Sequence, residues 1–364
     1  MANTDLVYGP PKDGHCNTNL DLQQQTESTR DTENTSISTK NDSNSRFMFQ
    51  KYSSATNIPS DTERILSAAW RNGTSNKYKG IIQRFKNFCS EKQTDESNVD
   101  TSIILEFLTK EFQRGLKYST LRSTLSALGV ITQSNQDRLI KVFMKGVYNL
   151  RPPRSKYHAI WDPKRLLDYL EHMKIDSLMA MSKKTTFLLM LLAGQRVNIL
   201  SNLKILNNMY LTDLECTFVF DDVLKHSRPN LYQKPLTFRS FPGNLALCPV
   251  NTIKQYLEYR LTKSSDSAFF ITTTSPYKKC SSDTIARWIK TTMAAAGIYS
   301  GLFQAHSIRS ASTSAAKRKG VSLSTIISSA FWSSDSTFKK HYDKELAELY
   351  ETIEPNMGTM LLSR

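Results

Sequence analysis

The run Phe187-Leu-Leu-Met-Leu-Leu-Ala193 is apolar nearly all the way round the helix it would form. Such a helix has no face for water and must be surrounded by other elements. It falls far short of the ~18 apolar residues of a membrane-spanning helix. The expectation is a core helix of a globular domain. It leads directly into Gly194-Gln-Arg196, so an arginine follows at its end.

Further along, His306 and Arg309 stand three apart, close to one helical turn, and so share a helix face. Ser310 to Lys319 has the composition of a small-residue helix, and Gly320 is a good residue to follow it. A short apolar run, Val321 to Phe331, leads to Trp332 and then Tyr342. One imidazole, one guanidinium, one indole N–H and one phenol thus fall within 37 residues. Each can address a phosphate, and the phenol can attack it. H-x-x-R alone arises often by chance. The set gains weight because Arg196 lies upstream, after a buried helix.

Taken in order, Arg196, His306, Arg309, Trp332 and Tyr342 resemble the active-site series of the tyrosine (phage-integrase-like) recombinases. The wording AGQRVNIL, LKHSRP, HSIRSASTSAAKRKGVSLSTII and FWSSDSTFKKHYDK resembles the recombinases of DIRS-type and Ngaro-type retroelements, over roughly residues 60–345. The fold this implies is mainly α with a small antiparallel β-sheet. A helical, SAM-like core-binding domain would precede an α+β catalytic domain, the two forming a clamp on double-stranded DNA. The resemblance further implies a homotetramer of two dimers on DNA, integration of element DNA, and work in the nucleus.

The chemistry implied is attack by the Tyr342 phenol on a phosphodiester, giving a 3′-phosphotyrosyl bond and a free hydroxyl. A second attack reverses the step, so bond energy is conserved and no cofactor is needed. Arg196 and Arg309 would hold the non-bridging oxygens, since a guanidinium fork binds phosphate bidentately and stays charged. His306 would accept the Tyr342 proton or hold a phosphate oxygen. Trp332 stands where many members have a second histidine and others a tryptophan; its indole can only donate. A phenol is protonated at neutral pH and needs proton removal or nearby positive charge. The family draws its general acid from a lysine on a β-hairpin. Lys225 is the best match and Lys234 the second. Two departures stand out. Ten residues rather than nine separate Trp332 from Tyr342, and Ile199 stands where many members have a supporting glutamate. Three rival readings are a catalytically silent DNA-binding descendant, a type IB topoisomerase-like enzyme, and a basic helical scaffold whose binding would be salt-dependent.

The 364 residues carry a net charge of +15. Residues 1–58 hold 5 Lys+Arg against 7 Asp+Glu, so the positive excess lies entirely beyond them. A basic body of this kind points to a polyanionic partner, most often nucleic acid. Cys16, Cys89, Cys216, Cys248 and Cys280 are scattered, with no C-x-x-C and no zinc spacing, which suits a reduced, intracellular protein. No clustered carboxylates suggest a two-metal nuclease, and Asp221-Asp222 would face opposite sides of a strand. No signal-like or membrane-spanning run is evident.

In chain order, residues 1–58 are polar and read as a disordered tail. Residues 59–149 read as five short helices, a DNA-binding domain. Asn72-Gly73 is expected to break the first from the second, Asp100 or Thr101 to cap the third, and Gly115 to stop it. Residues 150–161 form a basic linker whose Arg151, Arg154 and Lys156 suit the DNA backbone, as does Arg228 in a basic turn. Residues 162–345 form the catalytic domain, opened by Asp162-Pro163 and containing strands over 217–223 and 235–241. Residues 346–364 are a C-terminal helix and tail. Leu346, Leu349, Tyr350 and Ile353 would line one side of that helix, packing in cis or on a neighbouring protomer.

Overall fold

The computed structural model describes residues 59–95, 99–132, 137–225, 227, 229 and 232–347. The expected disordered tail over 1–58 and the tail beyond 347 lie outside these residues. The chain divides into two compact units, with the boundary between Arg154 and Ser155.

The first unit is helical: α1 (Ser60–Ser67), α2 (Asn72–Glu91), α3 (Thr101–Gln113), α4 (Tyr118–Ile131) and α5 (Arg138–Leu150). The helix starts are chemical. Asp100 accepts the Thr101 N–H at 2.6 Å. Asp137 accepts the Leu139 N–H at 2.7 Å through one oxygen and the Thr101 hydroxyl at 2.5 Å through the other, joining the heads of α3 and α5. Gly115 ends the turn after α3 at φ +91°. The break between α1 and α2 falls at 68–71, just ahead of the expected Asn72-Gly73, and α2 begins at Asn72, because glycine is tolerated in a first turn whose N–H groups have no intrahelical partner. Phe85, Phe88 and Phe107 form the centre of this core, Phe85 edge-on to Phe107 at 5.1 Å. Buried Glu111 is held by Arg84 at 3.3 Å and by Arg114.

The second unit opens with β1 (Ala159–Trp161), so the last residues of the expected linker are core: Ile160 and Trp161 are buried. Then come α6 (Pro163–Glu171), α7 (Leu178–Ala193), α8 (Val197–Leu200), β2 (Met209–Leu211), β3 (Glu215–Phe218), β4 (Leu236–Arg239), α9 (Pro249–Leu261) and α10 (Ser282–Ala295). They are followed by α11 (Ser307–Arg318), α12 (Leu323–Ser329), α13 (Asp335–His341) and β5 (Glu345–Ala347). Helix α7 is the expected centre, buried along most of its length, with α9, α10 and α11 packed on it. Strands β2, β3 and β4 form an antiparallel sheet in that order. Cys216, Phe218, Leu236 and Phe238 point inward and their neighbours outward, the period of two that sets sheet register.

The first predicted strand, over 217–223, stops early. Asp221 accepts from Asn208 Nδ2 at 2.6 Å and Asp222 pairs with Lys204 at 2.9 Å. These two carboxylates take separate partners and lead the chain off the sheet. The expected C-terminal helix is also corrected at its start. Residues 345–347 form β5, which pairs in parallel with β1, Ile160 opposite Leu346. Pairing with an edge strand of the same unit outweighs the helical spacing of the apolar residues.

Candidate active site

Two helix ends bring the arginines to one place. Helix α7 stops at Gly194, which adopts φ +57° and returns its N–H to the Met190 carbonyl at 3.0 Å. A Cβ there would sit 3.1 Å from Thr313 Cγ2 on α11, so glycine also permits the two helices to approach. Gln195, wholly buried, donates to the Ser329 carbonyl at the end of α12. Arg196 follows as the N-cap residue of α8. From α11, Ser312 donates to the Leu191 carbonyl, tying the same two helices again.

His306 is the residue before α11, and Arg309 lies in its first turn. The Arg309 guanidinium is 0% exposed and donates to the Ala330 carbonyl at 2.6 Å. It lies 4.4 Å from the centre of the Trp332 ring and 5.4 Å from that of Tyr342. The Trp332 and Tyr342 rings are 4.7 Å apart. His306 Nε2 and the Tyr342 hydroxyl are 2.9 Å apart, a hydrogen bond. The four side chains named from the second half of the sequence therefore form one cluster.

Its electrostatics are uniformly cationic. Burial and the repulsion of Arg196 lower the Arg309 pKa to about 10, against the attraction of Tyr342. Burial, then Arg309, Arg196 and Lys225, push His306 down to about 4. Solvent reaches the imidazole at the mouth of the site and screens part of this, but all three charges act in one direction. His306 is therefore neutral at pH 7, the form that can accept a proton. Among the described residues no carboxylate pairs with Arg196 or Arg309. Four buried donors, Arg196 Nη1, Arg309 Nε and Nη1, and Trp332 Nε1, have no hydrogen-bond partner there. Unpaired buried donors of one sign are costly in a fold and suited to an anion.

The main chain around Tyr342 is held as firmly. Its carbonyl accepts from Ser310 Oγ at 3.0 Å and Ser314 Oγ at 2.6 Å, and its N–H donates to the Phe338 carbonyl at 2.8 Å. Phe331 takes φ +52°, unusual for a bulky residue, as α12 turns out and Trp332 turns in. Trp161 of β1 donates to Ser307 Oγ at 2.9 Å, fixing the head of α11.

Of the two candidate lysines, Lys225 is exposed, in the loop between β3 and β4, and near enough to repel a charge on His306. Lys234, just before β4, donates to Ser328 Oγ at 3.1 Å. The linker cations divide. Arg151, proposed for DNA, donates instead to the Phe112 and Leu116 carbonyls at 3.1 and 2.8 Å and stacks on Phe112 at 4.1 Å. It adds a second donor to the Phe112 carbonyl, which already accepts the Gly115 N–H at 2.9 Å, and ties the Leu116 carbonyl to the end of α3. Arg154 and Lys156 are exposed. Arg228 lies outside the described residues. Asp335, the first residue of α13, pairs with Lys339 one turn on, at 2.5 Å. Ile199 is buried and gives Arg196 no polar support. Gln195, Ser310 and Ser314 were not singled out by sequence reasoning; the only signal was hydroxyls at i and i+4 on the helix of Arg309.

The Phage integrase family model matches residues 162–348, just over half of the chain. The chain belongs to this family, the tyrosine recombinases. XerH site-specific recombinase bound to palindromic difH substrate, a post-cleavage complex, superposes with a TM-score of 0.55 at 16% identity, over 74% of this chain and 76% of that one. The Tn1549 transposon integrase in complex with transposon right end DNA gives 0.55 at 10% identity, over 75% and 90%. A lambda integrase dimer bound to a COC′ core site gives 0.51 at 15%, over 88% and 83%. These likenesses establish the fold: a mainly helical chain around a small antiparallel sheet. No curated protein is significantly similar in sequence. Among the described residues no three His, Cys, Asp or Glu are grouped to hold a metal ion, and no helix is long and apolar enough to cross a membrane.

Proposed function

We propose that the chain is a site-specific DNA recombinase that cleaves and rejoins double-stranded DNA through a covalent 3′-phosphotyrosyl intermediate. The observation that carries this is the Tyr342 hydroxyl, 2.9 Å from His306 Nε2 and packed beside the buried Arg309. Tyr342 Oη attacks the phosphorus, its proton passes to His306 Nε2, and the bond to the 5′ oxygen breaks. Lys225 supplies the proton that the leaving oxygen takes up. Arg196, Arg309 and the indole N–H of Trp332 meet the non-bridging oxygens, where preorganised donors contribute most. Attack by a hydroxyl of another strand reverses these steps. One phosphoester replaces another throughout, so no nucleotide or metal is called for.

The wording around Arg196, His306 and Trp332 supports a DIRS- or Ngaro-type retroelement origin, with integration of element DNA in the nucleus as the role. The family resemblance supports a homotetramer of two dimers on two DNA segments. The test is a denaturing gel after incubation with nicked suicide DNA carrying the element ends, in EDTA. A covalent DNA–protein band that vanishes in Tyr342→Phe is expected. A parent that binds this DNA and forms no band would overturn the catalytic reading.

A further inference from the structure

Ser310 and Ser314 do something that helix serines seldom do. A helical hydroxyl usually bonds back to its own helix, as Thr313 does to the Arg309 carbonyl at 2.7 Å. Ser310 and Ser314 turn away from α11 and both donate to the carbonyl of Tyr342, at 3.0 and 2.6 Å. Ser314 Oγ also accepts the Lys344 N–H at 3.1 Å, so one hydroxyl holds the chain on both sides of Asp343. Both serines are buried, 5% and 3% exposed. They lie one turn apart on the helix that starts after His306 and carries Arg309.

We propose that Ser310 and Ser314 are positioning residues for the nucleophile, setting the Tyr342 phenol against His306 and Arg309. This rests on the reading of Tyr342 as the nucleophile. One hydroxyl would suffice to satisfy a buried carbonyl. Two, converging on the same oxygen, also fix the orientation of the peptide. That orientation matters because the neighbouring anchors, the Lys317–Asp343 ion pair at 2.6 Å and the pairing of β5 with β1, hold the chain beyond Tyr342 rather than its own carbonyl. Tyr342 ends a seven-residue helix, α13, of which only Phe338 is buried. A helix so short does not hold its own end in place. The phenol stands at the far end of its side chain, so a small rotation of the Tyr342 peptide carries the hydroxyl out of reach of His306. The two serines transfer the rigidity of α11, which is packed on α7, to the residue that carries the phenol.

The test compares the parent with Ser310→Ala, Ser314→Ala, the double variant and Ser314→Thr. Single-turnover adduct formation is followed at saturating suicide DNA, with DNA affinity and thermal midpoint measured alongside. Each alanine should slow cleavage about tenfold and the pair about 100-fold. DNA affinity should stay within twofold, and Ser314→Thr should recover most of the rate. Hydrogen exchange of the free protein gives a readout independent of activity. The peptide spanning 338–347 should exchange faster in both alanine variants, while the peptides of α7 stay unchanged. If the double variant does not fold, the single variants and Ser314→Thr decide the matter. Cleavage within twofold of the parent in both single variants, or unaltered exchange over 338–347, overturns the proposal. A parent without adduct but with accelerated exchange in the variants would leave the anchor standing and fail the nucleophile reading instead.

Discussion

At the scale of single residues, the site is built at a cost to the fold. Arg309 is fully buried among Arg196, Trp332 and Tyr342 with no carboxylate beside it among the described residues. A buried charge without a counter-charge is a liability until an anion arrives. Arg309→Met should therefore leave the free protein at least as resistant to urea as the parent, while lowering cleavage about 100-fold or more. A loss of more than about 2 kcal/mol in the urea experiment would show instead that the guanidinium is a structural strut. His306 sets the pH behaviour. Its folded pKa, about 4, lies below the ordinary imidazole value near 6.5. Between these values the unfolded chain takes up a proton that the folded one refuses. The His306 contribution to stability is thus full above pH 6.5 and lost as pH falls toward 4. Urea midpoints measured from pH 7 to 4 should fall less steeply in His306→Gln than in the parent. If His306 is the base, as proposed, cleavage should show no imidazole inflection between pH 5.5 and 7.5, because the imidazole is already neutral there.

At the scale of elements, Gly194 joins the two halves of the site. Its left-handed turn ends α7, and its missing side chain lets α11 approach. Gly194→Ala should cost about 1–3 kcal/mol by denaturant titration. Adding Thr313→Ser should recover the part due to the 3.1 Å contact and leave the part due to φ. Much of this architecture was legible in the sequence. The all-round apolar run named α7, Asp100 and Asp162 announced helix starts, and the order of arginines, histidine, tryptophan and tyrosine named the cluster. What was not legible depends on partners distant in sequence. Leu346 and its neighbours carry a helical spacing, yet their backbone meets β1, nearly two hundred residues earlier. Arg151 reads as a free cation until the Phe112 ring and the Phe112 and Leu116 carbonyls are placed beside it. Ser310 and Ser314 read as filler in a small-residue helix until the Tyr342 carbonyl is placed between them.

At the scale of the whole molecule, the positive excess belongs to the part of the chain beyond residue 58. Binding to DNA should therefore weaken steeply with salt, each phosphate contact adding about 0.9 to the log–log slope. Arg154→Gln with Lys156→Gln should reduce that slope by about 1.8 in a filter-binding titration. Arg151→Gln should leave the slope alone and lower stability by about 1–2 kcal/mol, since its hydrogen bonds are to the end of α3. The unpaired donors of the cluster have a practical consequence for anyone handling the protein. Inorganic phosphate or sulfate is a small tetrahedral anion that those donors can hold, and whatever binds only the folded state raises its melting temperature. Storage buffers containing these ions should stabilise the enzyme and, for the same reason, compete with its substrate; moving it into chloride would trade shelf life for turnover.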